Sequence, residues 1–331
     1  MKIEAVYNVP KGGRLKVLGP NACEPRAWDE SGKELAIWLD DFGRWVNVPC
    51  CGRAKLKLEI TLENAADFSG LFAGCSELLE ISGLDTRNGT DFGAMFSSCS
   101  NLESVPALDT GNGTSFLMMF SGCSNLESVP LLDTGNGTSF LMMFWGCSKL
   151  ASVPLLDTHN GENFNAMFKG CKSLASVPLL DTHNGTDFSE MFCRCSKLAS
   201  VPLLDTHNGE NFSAMFKGCK SLASVPLLDT HNGESFNAMF CNCFKLASVP
   251  LLDTYNGTDF MAMFRGCSNL KNVPLLNTGN GKDFSEMFCG CSKLGLANVP
   301  LLDTGNGKDF YLMFRGCPSV PEWAKGLLNV A

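Results

Sequence analysis

Histidine is scarce in this 331-residue chain: there are four, and none lies in the first 60 residues. That opening region also lacks a recognisable catalytic motif, which disfavours an enzyme confined to it. No run of about 18 apolar residues occurs, so the mark of a membrane-spanning helix is missing. The start, MKIEAVYNVPKGGRLKVLGP, has neither the apolar core nor the small-residue cleavage site of a secretory leader. The expectation is a chain that is cytoplasmic as encoded, or reaches a cell surface or virion by another route, with no membrane insertion. Concentrated positive charge is also absent. Residues 1–60 carry 10 basic and 8 acidic side chains, and the rest carry 16 and 26, a balance of -10. With no basic stripe, nucleic acid is not an expected partner.

What is abundant is cysteine, at 17 residues, but the placement is not that of a disulfide framework. Eleven fall on one register, Cys75, Cys99, Cys123 and onward every 24 residues to Cys291, then Cys317. The four histidines, His159, His183, His207 and His231, keep the same spacing. A fixed period of this length is the mark of a solenoid, a stack of units none of which buries its apolar face alone. About ten and a half units are expected, with one change of period, a two-residue insertion at Gly295-Leu296.

The type unit is NFNAMFKGCKSLASVPLLDTHNGE, from Asn163. Phe164, Met167, Phe168 and Cys171 sit at i, i+3, i+4 and i+7, the face of a helix. The residue before the first Phe is always Asp, Asn or Ser, an N-cap. Gly170 and its equivalents supply a left-handed stop, with Ser98, Arg194 and Asn242 as exceptions. Leu174 to Val177 suits a short strand limited by Pro178, and DTHNG is a turn built on Asn-Gly. Each unit is therefore expected to be strand, turn and short helix, an α/β solenoid with a continuous parallel sheet in which every Phe, Met, Leu and Val buries against its copies. Residues 1–60, with Trp28, Trp38 and Trp45, are expected to form a small N-terminal cap or attachment domain. Residues 61–317 form the repeats and 318–331 a C-terminal cap, with Trp323 over the last rung.

The recurring MFxGCxxLxxVPLLDT, over about residues 62–317, resembles the BspA-like leucine-rich-repeat proteins. The resemblance implies a leucine-rich-repeat superhelix and a role in surface attachment or partner binding.

Several ladders invite a chemical reading. The ladder cysteines fit small buried groups at a helix exit better than redox or metal sites. Cys193, Cys241 and Cys289 form Cys-x-Cys pairs two rungs apart, about 10 Å, too far to share one zinc. The Asp ladder from Asp85 to Asp303, broken at Asn277, fits turns whose carboxylate accepts its own amides better than a calcium site, which needs six to eight oxygens. Asn-Gly-Thr at Asn88, Asn112, Asn136, Asn184 and Asn256 keeps the turn constant rather than a glycosylation acceptor. No cofactor or metal is expected, and Asp-Thr-His is not a catalytic set, since adjacent turn side chains diverge.

The histidine position is filled elsewhere by Arg87, Gly111, Gly135, Tyr255, Gly279 and Gly305, so the scaffold does not require His. A partner-binding edge at Arg87, His159, His183, His207, His231 and Tyr255 is the candidate site. A flat strand face with Ser152, Ala175 and Ser176, flanked by Glu103, Glu127 and Lys271, is a second surface. The expected function is non-enzymatic recognition of a protein or glycan surface. The alternative is a structural spacer of a virion tail or cell envelope, attached through residues 1–60.

Overall fold

The computed structural model describes residues 1–327 apart from 12, 20–21, 49–50, 63 and 296–298. Leu296 of the insertion and the end of the C-terminal cap lie outside the described residues. The chain divides into two compact units, Met1–Asn160 and Gly161–Ala331. No described helix is long and apolar enough to cross a membrane.

The first unit opens with strands β1 (Lys2–Val9), β2 (Arg14–Leu18), β3 (Ala22–Trp28), β4 (Glu34–Leu35), β5 (Ile37–Asp40), β6 (Gly43–Asn47) and β7 (Gly52–Leu62), followed by β8 (Leu78–Ser82). They make a five-stranded sheet in the order β4-β3-β7-β1-β8 and a three-stranded sheet β2-β6-β5. Alternation is clear in β7, where Ala54, Leu56, Leu58 and Ile60 are buried between charged neighbours. Between Cys23 and Arg26 the β3–β7 register shifts, where Pro25 has no amide to give the ladder. Tyr7 is buried and donates its hydroxyl to the Val17 carbonyl at 2.8 Å, tying the two sheets together. Strand β8 belongs to the first repeat, and β1 gives it an antiparallel partner.

Among the described residues of the repeats the expected short helices do not form. Instead the chain makes two similar four-residue turns in succession, Phe164–Met167 and Phe168–Cys171. Met167 N–H donates to the Phe164 carbonyl at 3.2 Å, and Cys171 N–H to Phe168 at 3.0 Å. The third residue of each is left-handed, Ala166 at φ 53° and Gly170 at φ 81°. A helix sends every N–H to i-4. Here the amides of Phe188, Glu190, Phe192 and Arg194 donate to carbonyls of the following rung, Asn211, Ser213, Met215 and Lys217, at 2.6–3.0 Å. The left-handed residue at the stop position is as expected, including Ser98, Arg194 and Asn242 at φ 61–64°. The cap residue also accepts from the amide two residues on, as in Ser189 N–H to Asp187 at 2.9 Å, but it caps a turn.

Among the described residues the continuous parallel sheet does not form either. Parallel pairing within each unit consists of isolated bridges at the cap residues, such as Asp67↔Asp91 and Asp187↔Asn211. The segment after the cysteine keeps about one rung-to-rung backbone bond, as in Ala223 N–H to the Ala199 carbonyl at 3.3 Å. Two phenylalanine columns run through the core of each unit. Phe92 and Phe116 stack at 5.9 Å in the first, and Phe188 and Phe212 at 5.8 Å in the second, both nearly parallel. At the far end of the second unit Trp323 meets Phe314 edge-on at 6.0 Å.

Candidate functional site

Each turn is held by three side chains with separate tasks. The aspartate accepts from the backbone amide two residues on: Asp205 from His207 at 3.3 Å, and Asp109 from Gly111 at 3.4 Å. The buried threonine donates its hydroxyl to the carbonyl of the next rung's aspartate position, as in Thr206 to Asp229 and Thr110 to Asp133, both at 2.7 Å. The asparagine side chain donates backward to the carbonyl one rung before, as in Asn232 to His207 at 2.9 Å. Aspartate, threonine and asparagine are therefore structural. The threonine's role was not legible in one unit, because its partner lies 23 residues away.

The cysteine ladder is satisfied in the same way. Cys219 donates its thiol to the Phe192 carbonyl at 3.0 Å, and Cys123 to Phe96 at 3.0 Å. Burial pushes these thiols up, Cys75 and Cys147 to about 12. Cys75, Cys99, Cys123, Cys147, Cys195 and Cys219 are free thiols. Cys193 and Cys241 are buried among Ala, Lys and Arg neighbours, and burial raises both thiols despite the flanking cations. Among the described residues no three His, Cys, Asp or Glu side chains come together as a metal site.

The proposed edge residues all lie at the turn surface. The Nδ1 atoms of His159, His183, His207 and His231 are each 2.7 Å from the carboxylate of Asp157, Asp181, Asp205 and Asp229. The His207 hydrogen bond holds the Asp205 carboxyl below its usual range, and His231 does the same for Asp229. Arg87 donates from Nε to Asp85 at 2.9 Å and lowers that carboxyl too. Tyr255 is 61% exposed. Within Gly161–Ala331, His183, His207, His231 and Tyr255 occupy one repeat position. Arg87 and His159 belong to the other unit.

Beside this column runs an open groove of about 680 Å³, lined by Asn208, Asn232, Asn256, Glu210, Glu234, Thr258 and neighbours. Its carboxylates and hydroxyls project from a backbone ladder in which Glu234 N–H donates to the Glu210 carbonyl at 2.8 Å. Sequence reasoning missed this groove, because Glu and Thr vary between rungs and read as turn filler.

It also missed a leucine column. Leu179, Leu203, Leu227, Leu251, Leu275 and Leu301 are 63–69% exposed, while the leucine after each is buried. The expectation that every Leu packs inward is therefore corrected. Strict alternation back from exposed Asp181 puts Leu180 inside and Leu179 outside. That period-two signal was present in the sequence.

Repeats locked to one another through backbone, thiol and hydroxyl, with uniform columns of side chains outside, define a stacked-repeat scaffold. The chain belongs to the protein family described as "Mycoplasma protein of unknown function, DUF285", which it matches over residues 66–180, 151–249 and 234–324. No curated protein is similar enough to match. Among solved structures it is similar to a Treponema pallidum (T. pallidum) leucine-rich-repeat protein, at 20% identity over 57% of this chain and 82% of that one, TM-score 0.36. It is also similar to a leucine-rich-repeat protein of Eubacterium ventriosum, at 15% identity over 71% and 83%, TM-score 0.32. A third is the structure of a TLR13–ssRNA13 complex, at 17% over 72% and 33%, TM-score 0.31.

Proposed function

We propose that the protein is a non-enzymatic recognition solenoid that holds a repeated surface rigid and binds a protein or glycan along its turn edge. The observation that carries this reading is the groove beside His183, His207, His231 and Tyr255, where carboxylates and hydroxyls recur at rung spacing beside the asparagines that lock the rungs. Such groups suit a hydroxyl-rich, extended ligand, and an open groove suits a chain better than a small molecule. Binding summed over several rungs needs little from any one of them. An adhesive role of the kind implied by the BspA-like resemblance is the biological form of this reading.

The test uses the full chain against an array of purified glycans and immobilised proteins. The reading expects binding that falls at least tenfold in a Glu210→Ala, Glu234→Ala, Tyr255→Ala variant. Unchanged binding in that variant rejects the turn edge.

One observation favours the spacer reading with residues 1–60 as attachment point. The β5–β6 hairpin exposes Leu39 at 61% and Phe42 at 72%, and exposed aromatic anchors are typical of interface hot spots. Loss of attachment in a Leu39→Ser, Phe42→Ser variant, with the turn-edge variant still attached, selects the spacer.

A further inference from the structure

We propose that two copies of this chain pair through the leucine columns of Gly161–Ala331, face to face and rung against rung. The face has a similar order along each segment. Exposed lysines stand at its start, Lys197, Lys245 and Lys293 two residues after the ladder cysteine and Lys172 and Lys220 one residue after it, and small residues such as Ala199 and Ala223 follow. Then come the exposed leucine and, two residues on, exposed Asp181, Asp205, Asp229, Asp253 or Asp303.

A twofold axis parallel to the stacking direction reverses each segment and keeps the rung order. Lys197 of one copy then stands over Asp205 of the other, and Leu203 over Ala199. Lys245 stands over Asp253 in the same way, while Lys172 and Lys220, one residue earlier, reach Asp181 and Asp229 diagonally past Ser173 and Ser221, so these rungs carry both halves of their own complement, as a twofold interface requires. A partner column at the same spacing is what another copy of these rungs provides.

The rung that lacks both the lysine and the aspartate supports it. Asn277 replaces the aspartate, and the same rung has Asn269 in place of the lysine. In the twofold arrangement this rung faces itself, so neither charge is left without its opposite. Lys271 takes the alanine place there, where its stem covers the opposing Leu275 and its ammonium stays at the rim.

The size is sufficient. At about 100 Å² each, six leucines offer about 600 Å² of apolar surface. The flanking Ala, Ser, Asp and Lys bring this near the roughly 800 Å² per partner of a stable interface.

The experiment measures the mass of the full chain by sedimentation from nanomolar to high micromolar concentration. The expected result is twice the single-chain mass at the upper end. Leu203→Ser, Leu227→Ser and Leu251→Ser together return it to one chain with an unchanged circular dichroism spectrum. Lys197→Glu, Lys220→Glu and Lys245→Glu together weaken pairing at least tenfold. Mixing an Ala199→Cys chain with a Leu203→Cys chain under mild oxidation gives a covalent heterodimer, and the Glu210→Ala, Glu234→Ala, Tyr255→Ala variant stays dimeric.

A single-chain mass throughout overturns the proposal. So does a dimer indifferent to the leucine changes, or one that does not cross-link. Loss of binding to a foreign protein by the leucine variant of a monomeric chain assigns the face to that protein instead.

Discussion

The repeats of Met1–Asn160 and those of Gly161–Ala331 have the same interior and different exteriors. Phe120 and Phe216 are equally buried in their stacks, and Thr134 and Thr206 make the same hydroxyl bond to the next rung. Outside, the first unit places Ala107, Leu131 and Leu155 at the leucine position and Glu103, Glu127 and Ala151 four residues before. In the second unit that earlier position is Ala in all but one of the first five rungs, and the leucine is constant. Stacking fixes the interior because each side chain meets its own copy. It places no such demand on the exterior, so an exterior that becomes nearly uniform only from Ala151 onward points to a demand from outside the scaffold.

Alkali separates the two units most strongly. A buried thiol whose folded pKa is raised contributes stability that is complete below the unfolded value, near 8.5, and is lost as pH rises toward the folded value. In Met1–Asn160 the raised thiols include Cys75, Cys99, Cys123 and Cys147. In Gly161–Ala331 they include Cys193, Cys195, Cys219, Cys241, Cys243, Cys267, Cys291 and Cys317, the last raised to about 11. The second unit, with the larger set of such thiols among the described residues, therefore loses stability more steeply as pH rises above the unfolded thiol value. Hydrogen exchange between pH 8 and 10 is expected to show 161–331 opening first. Opening of both units at the same pH breaks the comparison.

The shared interior is checked by deletion. Phe120→Ala and Phe216→Ala each remove a ring stacked on both sides, and each is expected to cost about 3–5 kcal/mol in denaturant unfolding. Similar values in the two units confirm one core. A difference of more than about 2 kcal/mol shows that the interiors are not equivalent, whatever their sequences.

The period and the identity of the inward side chains were legible because they recur, but the backbone that carries them was not. Phe164, Met167, Phe168 and Cys171 fit a helical face, and they fit equally a pair of four-residue turns, each closed by a left-handed residue. The glycine at position 170 marked the second turn. Ala166 at the first gave no sign, since a non-glycine left-handed residue costs about 1–2 kcal/mol and is not expected in every rung. Hydrogen bonds to the neighbouring rung offset that cost, and they are invisible in a single unit. For the same reason the Thr206 hydroxyl read as local, although its acceptor is the Asp229 carbonyl.

That hydroxyl gives a smaller effect. Thr206→Val and Thr134→Val keep the shape and remove the donor, leaving a carbonyl without its bond. Each is expected to cost about 1–2 kcal/mol, measurable as a lower denaturation midpoint at constant slope. An unchanged midpoint shows that the threonine is held for another reason.

The smallest effect falls on the histidine that sets the His183, His207 and His231 turns apart from those of Gly111 and Gly135. Asp109 and Asp133 accept from Gly111 and Gly135 amides at 3.4 and 3.3 Å. Asp205 accepts from the His207 amide at 3.3 Å in the same way. The turn therefore closes without an imidazole. His207→Gly is expected to change stability by less than about 0.5 kcal/mol, since the pair is exposed and screened. The Asp205 carboxyl is expected to return toward its ordinary value, read by NMR titration. Because its folded value is depressed, any stability from the pair is present above the unfolded carboxyl value and is lost only as pH falls through the folded one. The same substitution at His183, His207 and His231 together turns the second unit's edge into that of Gly111 and Gly135. Ligand binding that survives it assigns recognition to Glu210, Glu234 and Tyr255. Loss of binding at unchanged stability assigns it to the histidines, which the fold itself does not use.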